Sequence, residues 1–302
     1  MSLKDFSRPK SHRENTSGKP SRDHMRALGQ NFLKSDNVAR RIAESLGSLE
    51  NAHVLELGAG PGRLSRQIVA RAARTTLLEL DAQWAAHLEE TFRADQRVAV
   101  IRGDILRFDF ESWAAECSPM TPLVAGNIPY NITSNLLHRL IEARESLGAV
   151  VLMLQEEVAR KITSSPGGKH WAMLPVFIAC YSTAEYLFPV GADNFSPRPR
   201  VDSAVVRLDF KGGSPVRPKD DRVFRALVKR LFLERRKQIQ KVLRSDSLYR
   251  LNPEDLDQMS RSAGIDLSRR PEELAVDDFI RLSDFLSFRR NIVAENDVRP
   301  MV

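Results

Sequence analysis

His53-Val54-Leu55-Glu56-Leu57-Gly58-Ala59-Gly60-Pro61-Gly62 is a short apolar run that breaks into three alternating glycines. The run reads as a buried strand, and the glycines let the backbone turn tightly and let a ligand approach it as the next helix opens. Downstream the same kind of run recurs as TTLLEL (75–80), RVAVIR (97–102), PLVAGN (122–127) and GAVVLML (148–154). Helical stretches near 62–73, 82–93, 111–117, 133–145 and 156–164 separate them. This alternation predicts a mostly parallel sheet covered on both faces, with ligands bound beyond the carboxyl ends of its strands.

Upstream, Ser35 and Asp36 are candidate caps for a helix that carries Val38, Ile42 and Leu46 and stops at Gly47. Residues 1–25 are polar and aperiodic and read as a disordered basic arm, with the ordered chain starting near Met25. Toward the other end, AEYLFPV (184–190) and DSAVVRLDF (202–210) read as strands joined through a Pro-rich loop, which predicts an antiparallel edge. KGGSPVRPKD (211–220) reads as a linker. Beyond it, Val223, Leu227, Val228 and Leu231 share one helical face, and further helices near 253–263 and 277–287 complete a small bundle. The expected organisation is the arm, an α/β domain over 26–210, the linker, a helical domain over 221–290, and a tail over 291–302.

The chain has 302 residues, which suggests about two domains. No run approaches the roughly 18 apolar residues of a membrane span, and the N-terminus has no secretory signal, so a cytoplasmic location is expected. Cys117 and Cys180 form no CxxC pair and no His cluster, which argues against a disulfide framework or structural zinc and makes both expected core thiols. The net charge is +7, with surpluses of +4 in residues 1–30 and +7 in residues 221–250 flanking a middle that carries no net charge. That distribution favours a polyanionic partner.

The glycine spacing is GxGxG rather than GxGxxG, and Glu56 precedes the first glycine by two residues. This pattern suits the aminoacyl end of S-adenosylmethionine better than a pyrophosphate, and makes Gly58 and Gly60 candidate cofactor contacts. Glu79 ends the second run, 21 residues after Gly58, where a carboxylate accepts hydrogen bonds from ribose hydroxyls. Asp81 precedes a helix and is better explained as its N-cap. Asp104, after the third run, is placed to accept a bond from the adenine amino group.

The fourth run ends in Asn127-Ile128-Pro129-Tyr130. Methylating an exocyclic purine amine needs acceptors that hold both N–H groups while the nitrogen becomes more tetrahedral. The Asn127 side-chain oxygen and the Ile128 carbonyl suit that task, Pro129 fixes the backbone that aims them, and the Tyr130 ring offers a stacking face for an extruded adenine. Phe195, in a loop stiffened by Pro197 and Pro199, is a candidate for the other face of the base. Arg198 and Arg200 of that loop are candidate phosphate contacts. So are Arg235, Arg236, Lys237, Lys241 and Arg244, read as one cationic helical face.

Asn31-Phe32-Leu33, ELGAGPG (56–62), Glu79, Asp104, NIPY (127–130), QEEVARKI (155–162), FSPRPRVDSAVVRL (195–208) and RRKQIQKVL (235–243) together resemble the ribosomal RNA adenine N6-dimethyltransferases. The resemblance runs from about Leu28 to Leu286. It is nearest to the small-subunit members, which share the RRK segment and the pattern in Arg269-Arg270-Pro271-Glu272-Glu273-Leu274. It implies a Rossmann-like class I S-adenosylmethionine-dependent methyltransferase, α/β with a mostly parallel sheet, plus a small C-terminal all-helical domain. It places cofactor contacts on Asn31, Leu33, Gly58, Glu79, Asp104 and Asn127, with Asn31 and Leu33 carried by resemblance alone. Trp171-Ala172 stands where the family often has Tyr-Gly, the SPRPR loop suits the large-subunit sister family equally well, and the arm over 1–25 has no counterpart.

The resulting expectation is a monomer that transfers two methyl groups in turn to N6 of adenines in rRNA of an assembling small subunit, releasing S-adenosylhomocysteine. It uses no metal and has no membrane partner. Positioning rather than a strong base carries the step, because the sulfonium methyl is already activated. The rival readings are a large-subunit enzyme of the macrolide-resistance type, a non-catalytic RNA-binding assembly or transcription factor on the same fold, and a DNA adenine methyltransferase. The RRK and Glu-Glu-Leu features oppose the first, the retained NIPY the second, and the roughly 85 C-terminal residues are few for the target-recognition domain of the third.

Overall fold

A computed structural model describes residues 31–246, 249 and 251–296, with side chains as far as Phe288. The arm expected over 1–25 lies outside the described residues. The first described segment forms β1 (Phe32–Leu33) and α1 (Asp36–Ser45), whose Ser35 cap accepts from the Val38 N–H. Then follow β2 (Ala52–Leu57), α2 (Arg63–Val69), β3 (Arg74–Glu79), α3 (Ala82–Phe92), β4 (Val98–Arg102), α4 (Phe110–Glu116), β5 (Thr121–Asn127), α5 (Thr133–Glu142), β6 (Ala149–Gln155) and α6 (Glu156–Ile162). Asp81 caps α3, accepting from the Gln83 and Trp84 N–H groups. The order continues with α7 (Met173–Tyr181), β7 (Thr183–Val190), β8 (Phe195–Ser196) and β9 (Ser203–Asp209).

The main sheet has seven strands in the order β4-β3-β2-β5-β6-β9-β7. Strands β2 to β6 are parallel, while β9 runs antiparallel to both β6 and β7, giving the expected antiparallel edge. The chain leaves β2 toward β3 and β4 and later returns to β5 on the other side. The order therefore reverses between β2 and β5, where a crevice opens at the carboxyl ends of the strands. Every residue of β2 is buried, as a strand with helices on both faces requires.

One face of the sheet packs Val54, Ala125, Val151 and Val205 against Val38 and Ile42 of α1 and Ile68 of α2. The other face packs against α4, α5 and α7, and the C-terminal helices belong to the same apolar cluster. Those helices are α8 (Asp221–Leu233), α9 (Ile239–Ser245), α10 (Pro253–Ala263) and α11 (Val276–Asn296). Residues 211–220, read as a linker, form no helix or strand yet are strapped down. Ser214 N–H donates to the Ala179 carbonyl at 3.2 Å, Ser214 Oγ to Asp277 Oδ1 at 2.6 Å, and Lys219 N–H to Asp284 Oδ1 at 2.8 Å.

Three features differ from the sequence reading. Helix α7 was not anticipated, because MLPVFIACY is apolar on all sides and contains Pro175. That proline is the third helical residue, where the N–H has no intrahelical acceptor and its loss costs nothing. Helix α11 continues to Asn296, into the stretch read as a tail. Arg235-Arg236-Lys237 does not lie on a helix: α8 ends at Leu233 and α9 starts at Ile239, so the three cations occupy the intervening turn.

Candidate active site

A cleft at the carboxyl ends of β2, β3, β4 and β5 is lined by residues that include Asn31, Gly58, Glu79, Asp104, Asn127 and Tyr130. Residues chosen from separate parts of the sequence thus meet in one cavity. The glycine loop is laid over β3, since the Gly58 and Ala59 N–H groups both donate to the Leu78 carbonyl, at 2.8 and 3.3 Å. Gly58 has φ +68, and a side chain there would project toward Ile105 Cδ1 at 3.7 Å and the Asn127 carbonyl at 3.9 Å, across the cleft. Gly60 has φ +54, and a Cβ there would strike the Phe32 ring at 2.9 Å.

Glu79 is buried, 2% exposed, and its carboxylate is already engaged by the backbone: Oε2 accepts from Gly60 N–H at 2.8 Å and Oε1 from Asp81 N–H at 2.9 Å. A carboxylate offers about four lone-pair directions, so each oxygen keeps capacity for a further donor. Burial raises the Glu79 pKa above the usual carboxylate range, against the pull of those N–H bonds. Beneath the loop lies Glu56, likewise 2% exposed and absent from the cleft lining. Burial is the main cause that pushes its carboxyl up to about 8, the nearby Ser65 hydroxyl opposes, and the negative charge of Glu79 adds.

Asp104 lines the cleft and also caps the turn Ile105–Arg107, its Oδ1 accepting from Leu106 N–H at 2.8 Å. Arg139 of α5 braces this wall from behind by donating to the Leu106 carbonyl and, at 2.7 Å, to the Phe108 carbonyl. On the facing wall, the Asn127 amide donates to the Asn31 carbonyl at 2.8 Å. That bond turns the side-chain oxygen of Asn127 into the end left to accept. Ile128 N–H is held by the Met153 carbonyl at 3.2 Å, and the Pro129 carbonyl takes Ile132 N–H at 3.2 Å. Tyr130 is half-buried, its pKa raised by burial, and its hydroxyl shares a 2.9 Å hydrogen bond with Ser203 Oγ.

Three of the cofactor and base candidates do not line the cleft: Gly60, whose N–H is taken by Glu79, and Phe195 and Leu33. Phe195 is 2% exposed and belongs to the apolar cluster of α1, α2 and the sheet, so it is a core anchor and not a second face for a base. Its strand β8 pairs with β1, placing Leu33 opposite Phe195, and the Leu33 side chain is buried in the same cluster. The residue between Asn31 and Leu33, Phe32, lines the cleft instead, with its ring against Gly60 and edge-on to Trp84 at 5.3 Å. Leu80 was also missed: it is a cleft residue, 51% exposed although apolar. The sequence signal was a leucine placed directly after the acid that ends the strand, where the chain leaves the sheet.

The cations divide. Arg198 pairs with Asp193 at 2.9 Å, while Arg200 is exposed with no carboxylate partner among the described residues. In the turn after α8, Arg235 is bound to Glu272 at 2.6 Å and to the Lys169 carbonyl at 3.3 Å, and Lys237 to Glu234. Arg236, Lys241 and Arg244 are exposed and pair with no carboxylate among the described residues. Nearby, Trp171 is buried and donates through Nε1 to the Leu274 carbonyl at 3.0 Å, and Gly167 N–H reaches the Glu272 carbonyl at 2.9 Å. The Trp171 position thus ties the loop after α6 to the turn before α11. Among the described residues no cluster of three or more His, Cys, Asp or Glu could hold a metal ion, and no helix is long and apolar enough to cross a membrane.

Residues 22–287 match the family model described as ribosomal RNA adenine dimethylase. The chain is 33% identical over 260 residues to ribosomal RNA small subunit methyltransferase A of Pseudomonas aeruginosa, an alignment covering 86% of this chain and 93% of the relative. It is 36% identical over 258 residues to the protein of the same name from Geobacter metallireducens, covering 85% and 94%. Among solved structures, the 23S rRNA methyltransferase ErmE superposes with a TM-score of 0.66 at 26% identity, over 85% of this chain and 100% of that one. A dimethyladenosine transferase from Plasmodium falciparum shares the fold, with a TM-score of 0.68 at 19% identity over 86% and 98%.

Proposed function

The chain belongs to the ribosomal RNA adenine dimethylase family, and we propose that it transfers methyl groups from S-adenosylmethionine to N6 of adenines in small-subunit rRNA, two per base. The observation that carries the reading is the single cleft in which the Gly58, Glu79 and Asp104 wall faces Asn127-Ile128-Pro129-Tyr130. The small-subunit assignment rests on relatives at 33% and 36% identity, against 26% for the large-subunit enzyme ErmE.

The residues present fit that methyl donor. The side-chain-free face of Gly58 leaves room that a Cβ would fill, Glu79 keeps acceptor capacity toward the cleft, and Leu80 and Ile105 give an apolar lining beside Asp104. In this reading Glu79 accepts from the ribose hydroxyls, Asp104 from the adenine amino group, and Leu80 and Ile105 flank the adenine ring. When bound, S-adenosylmethionine supplies an activated sulfonium methyl.

The protein's own task is alignment. Asn127 Oδ1 and the Ile128 carbonyl each accept one N–H of the target amine, which localises its lone pair and aims it along the transfer axis. The Tyr130 ring holds the extruded base by stacking, typically worth about 1–3 kcal/mol. No side chain in the cleft is assigned as a general base, since the amine sheds its proton after transfer, when it is acidic. Arg200, Arg236, Lys241 and Arg244 supply the docking charge for folded rRNA.

The test is methylation of purified small subunits that lack N6-methylated adenines, followed by mass spectrometry of the digested rRNA. Dimethyladenosine appears in small-subunit rRNA and not in large-subunit particles treated alike. Modification of large-subunit rRNA alone would overturn the assignment.

A further inference from the structure

The segment FSPRPRVDS (195–203) was expected to enter the site through Phe195, which is instead buried in the core. Its last residue does reach the site. Ser203 Oγ lies 2.9 Å from the Tyr130 hydroxyl, joining segments 73 residues apart. Resting on the adenine-methylation reading above, we propose that Ser203 is a positioning residue that sets the plane in which the target base stacks, by fixing the outer end of the Tyr130 ring.

Ser203 suits the task because it cannot move. It has no exposed surface and opens β9 between two partner strands, opposite Gln155 of β6 on one side and Val190 of β7 on the other. The residue before it is held as well: the Asp202 carbonyl accepts from Glu156 N–H at 3.0 Å and its carboxylate from Ala192 N–H at 2.8 Å. Tyr130 by contrast opens a single turn, Tyr130–Ile132, and is half-exposed along the cleft. A ring anchored only at its backbone can swing about two side-chain torsions, and a contact at the far end of the ring removes that freedom. A base stacked on a swinging ring presents its amine to Asn127 Oδ1 over a range of angles, and in-line transfer uses few of them. Ser203 therefore acts on the rate through orientation, without touching the base.

The experiment is a double-mutant cycle of Ser203→Ala and Tyr130→Phe, in the full chain with small-subunit particles as substrate. SAM affinity is measured by calorimetry and folding by thermal melting. Tyr130→Phe keeps the stacking ring and loses only the hydroxyl. Each single variant is expected to lower kcat roughly ten-fold with SAM affinity unchanged, as for loss of one orienting hydrogen bond. The double variant is also expected to lose roughly ten-fold and not a hundred-fold, because both changes remove the same bond. Additive losses, or full kcat in either single variant, overturn the proposal. If Ser203→Ala does not fold, Tyr130→Phe decides alone, and undiminished turnover there overturns it. A wild-type chain that methylates no adenine overturns the functional reading instead.

Discussion

Glu79, which lines the cleft, and Glu56, beneath its glycine loop, are both buried, and among the described residues no Lys or Arg pairs with either. In the turn between α8 and α9, Glu234 lies at the surface between Lys237 and Arg230, and the hydrogen bond from Lys237 leads the causes that pull its pKa below the usual carboxylate range. The first arrangement leaves acid groups poor in solvation and able to accept further donors. The second spends acceptor and donor on each other. A charge counted in a sequence is available for binding only where folding has not already matched it.

The contrast is broken most directly at the cleft. Asn127→Ala removes the acceptor assigned to the target amine and is expected to lower turnover about 10²–10³-fold, the usual size for one transition-state hydrogen bond. RNA affinity should barely change, as steady-state rates with a filter-binding titration will establish. Equal losses in rate and affinity would make Asn127 a docking residue.

The next effect is on stability. The Glu56 carboxyl is raised from 4.5 to about 8 in the folded chain. Between those values the folded state keeps a proton that the unfolded chain has released. The contribution is therefore present in full below about pH 4.5 and is lost as pH rises through 8. Over pH 5 to 8, denaturant unfolding of the wild type should lose a few kcal/mol relative to Glu56→Gln, which cannot titrate. Parallel curves would mean that Glu56 is solvated enough to ionise normally, and would remove half of the comparison.

Glu79→Gln should weaken S-adenosylmethionine binding by roughly 10–100-fold, the equivalent of about 1.5–3 kcal/mol for a hydrogen bond to a charged acceptor. Its amide cannot accept from both Gly60 and Asp81 N–H groups, so one backbone donor is left unmatched and the melting temperature should fall as well. Calorimetry on the folded fraction separates the two. Unchanged affinity would confine Glu79 to holding the glycine loop.

The parallel strands were legible because each is an apolar, β-rich run set between helical stretches, and the carboxyl ends of β2 to β5 coincide with the cleft. Gly58, Glu79, Asp104 and Asn127 followed from that rule together with the glycine spacing and the Asn127-Ile128-Pro129-Tyr130 motif. Helix α7 was not legible, since Pro175 in its first turn and the lack of a polar face erase the periodic signal. Phe195 was misplaced because a loop sequence does not say which side of the backbone meets the core, and the pairing of β1 with β8 puts it opposite Leu33, with both side chains in the core. The pairing of Arg235 with Glu272 joins two segments that meet only when α8 and α11 pack.

That last pairing supplies the smallest effect and the cleanest division between neighbours. Arg235 and Arg236 are adjacent and carry the same charge, but Arg235 is held by Glu272 and the Lys169 carbonyl while Arg236 is exposed without a carboxylate partner among the described residues. If rRNA phosphates meet this turn, Arg236→Gln should lower the slope of log affinity against log salt by about 0.7–0.9, one released counterion, and leave melting unchanged. Arg235→Gln should do the reverse. It leaves the salt slope alone and costs about 1 kcal/mol or less of stability, because the pair with Glu272 is partly exposed to solvent. Binding of each variant to small-subunit particles across a salt series reads the slopes. If both lower the slope equally, the Glu272 pairing gives way when RNA arrives, and Arg235 acts as a cation held in reserve for it. If neither does, the docking charge lies elsewhere, and the exposed Arg200 becomes the residue to vary next.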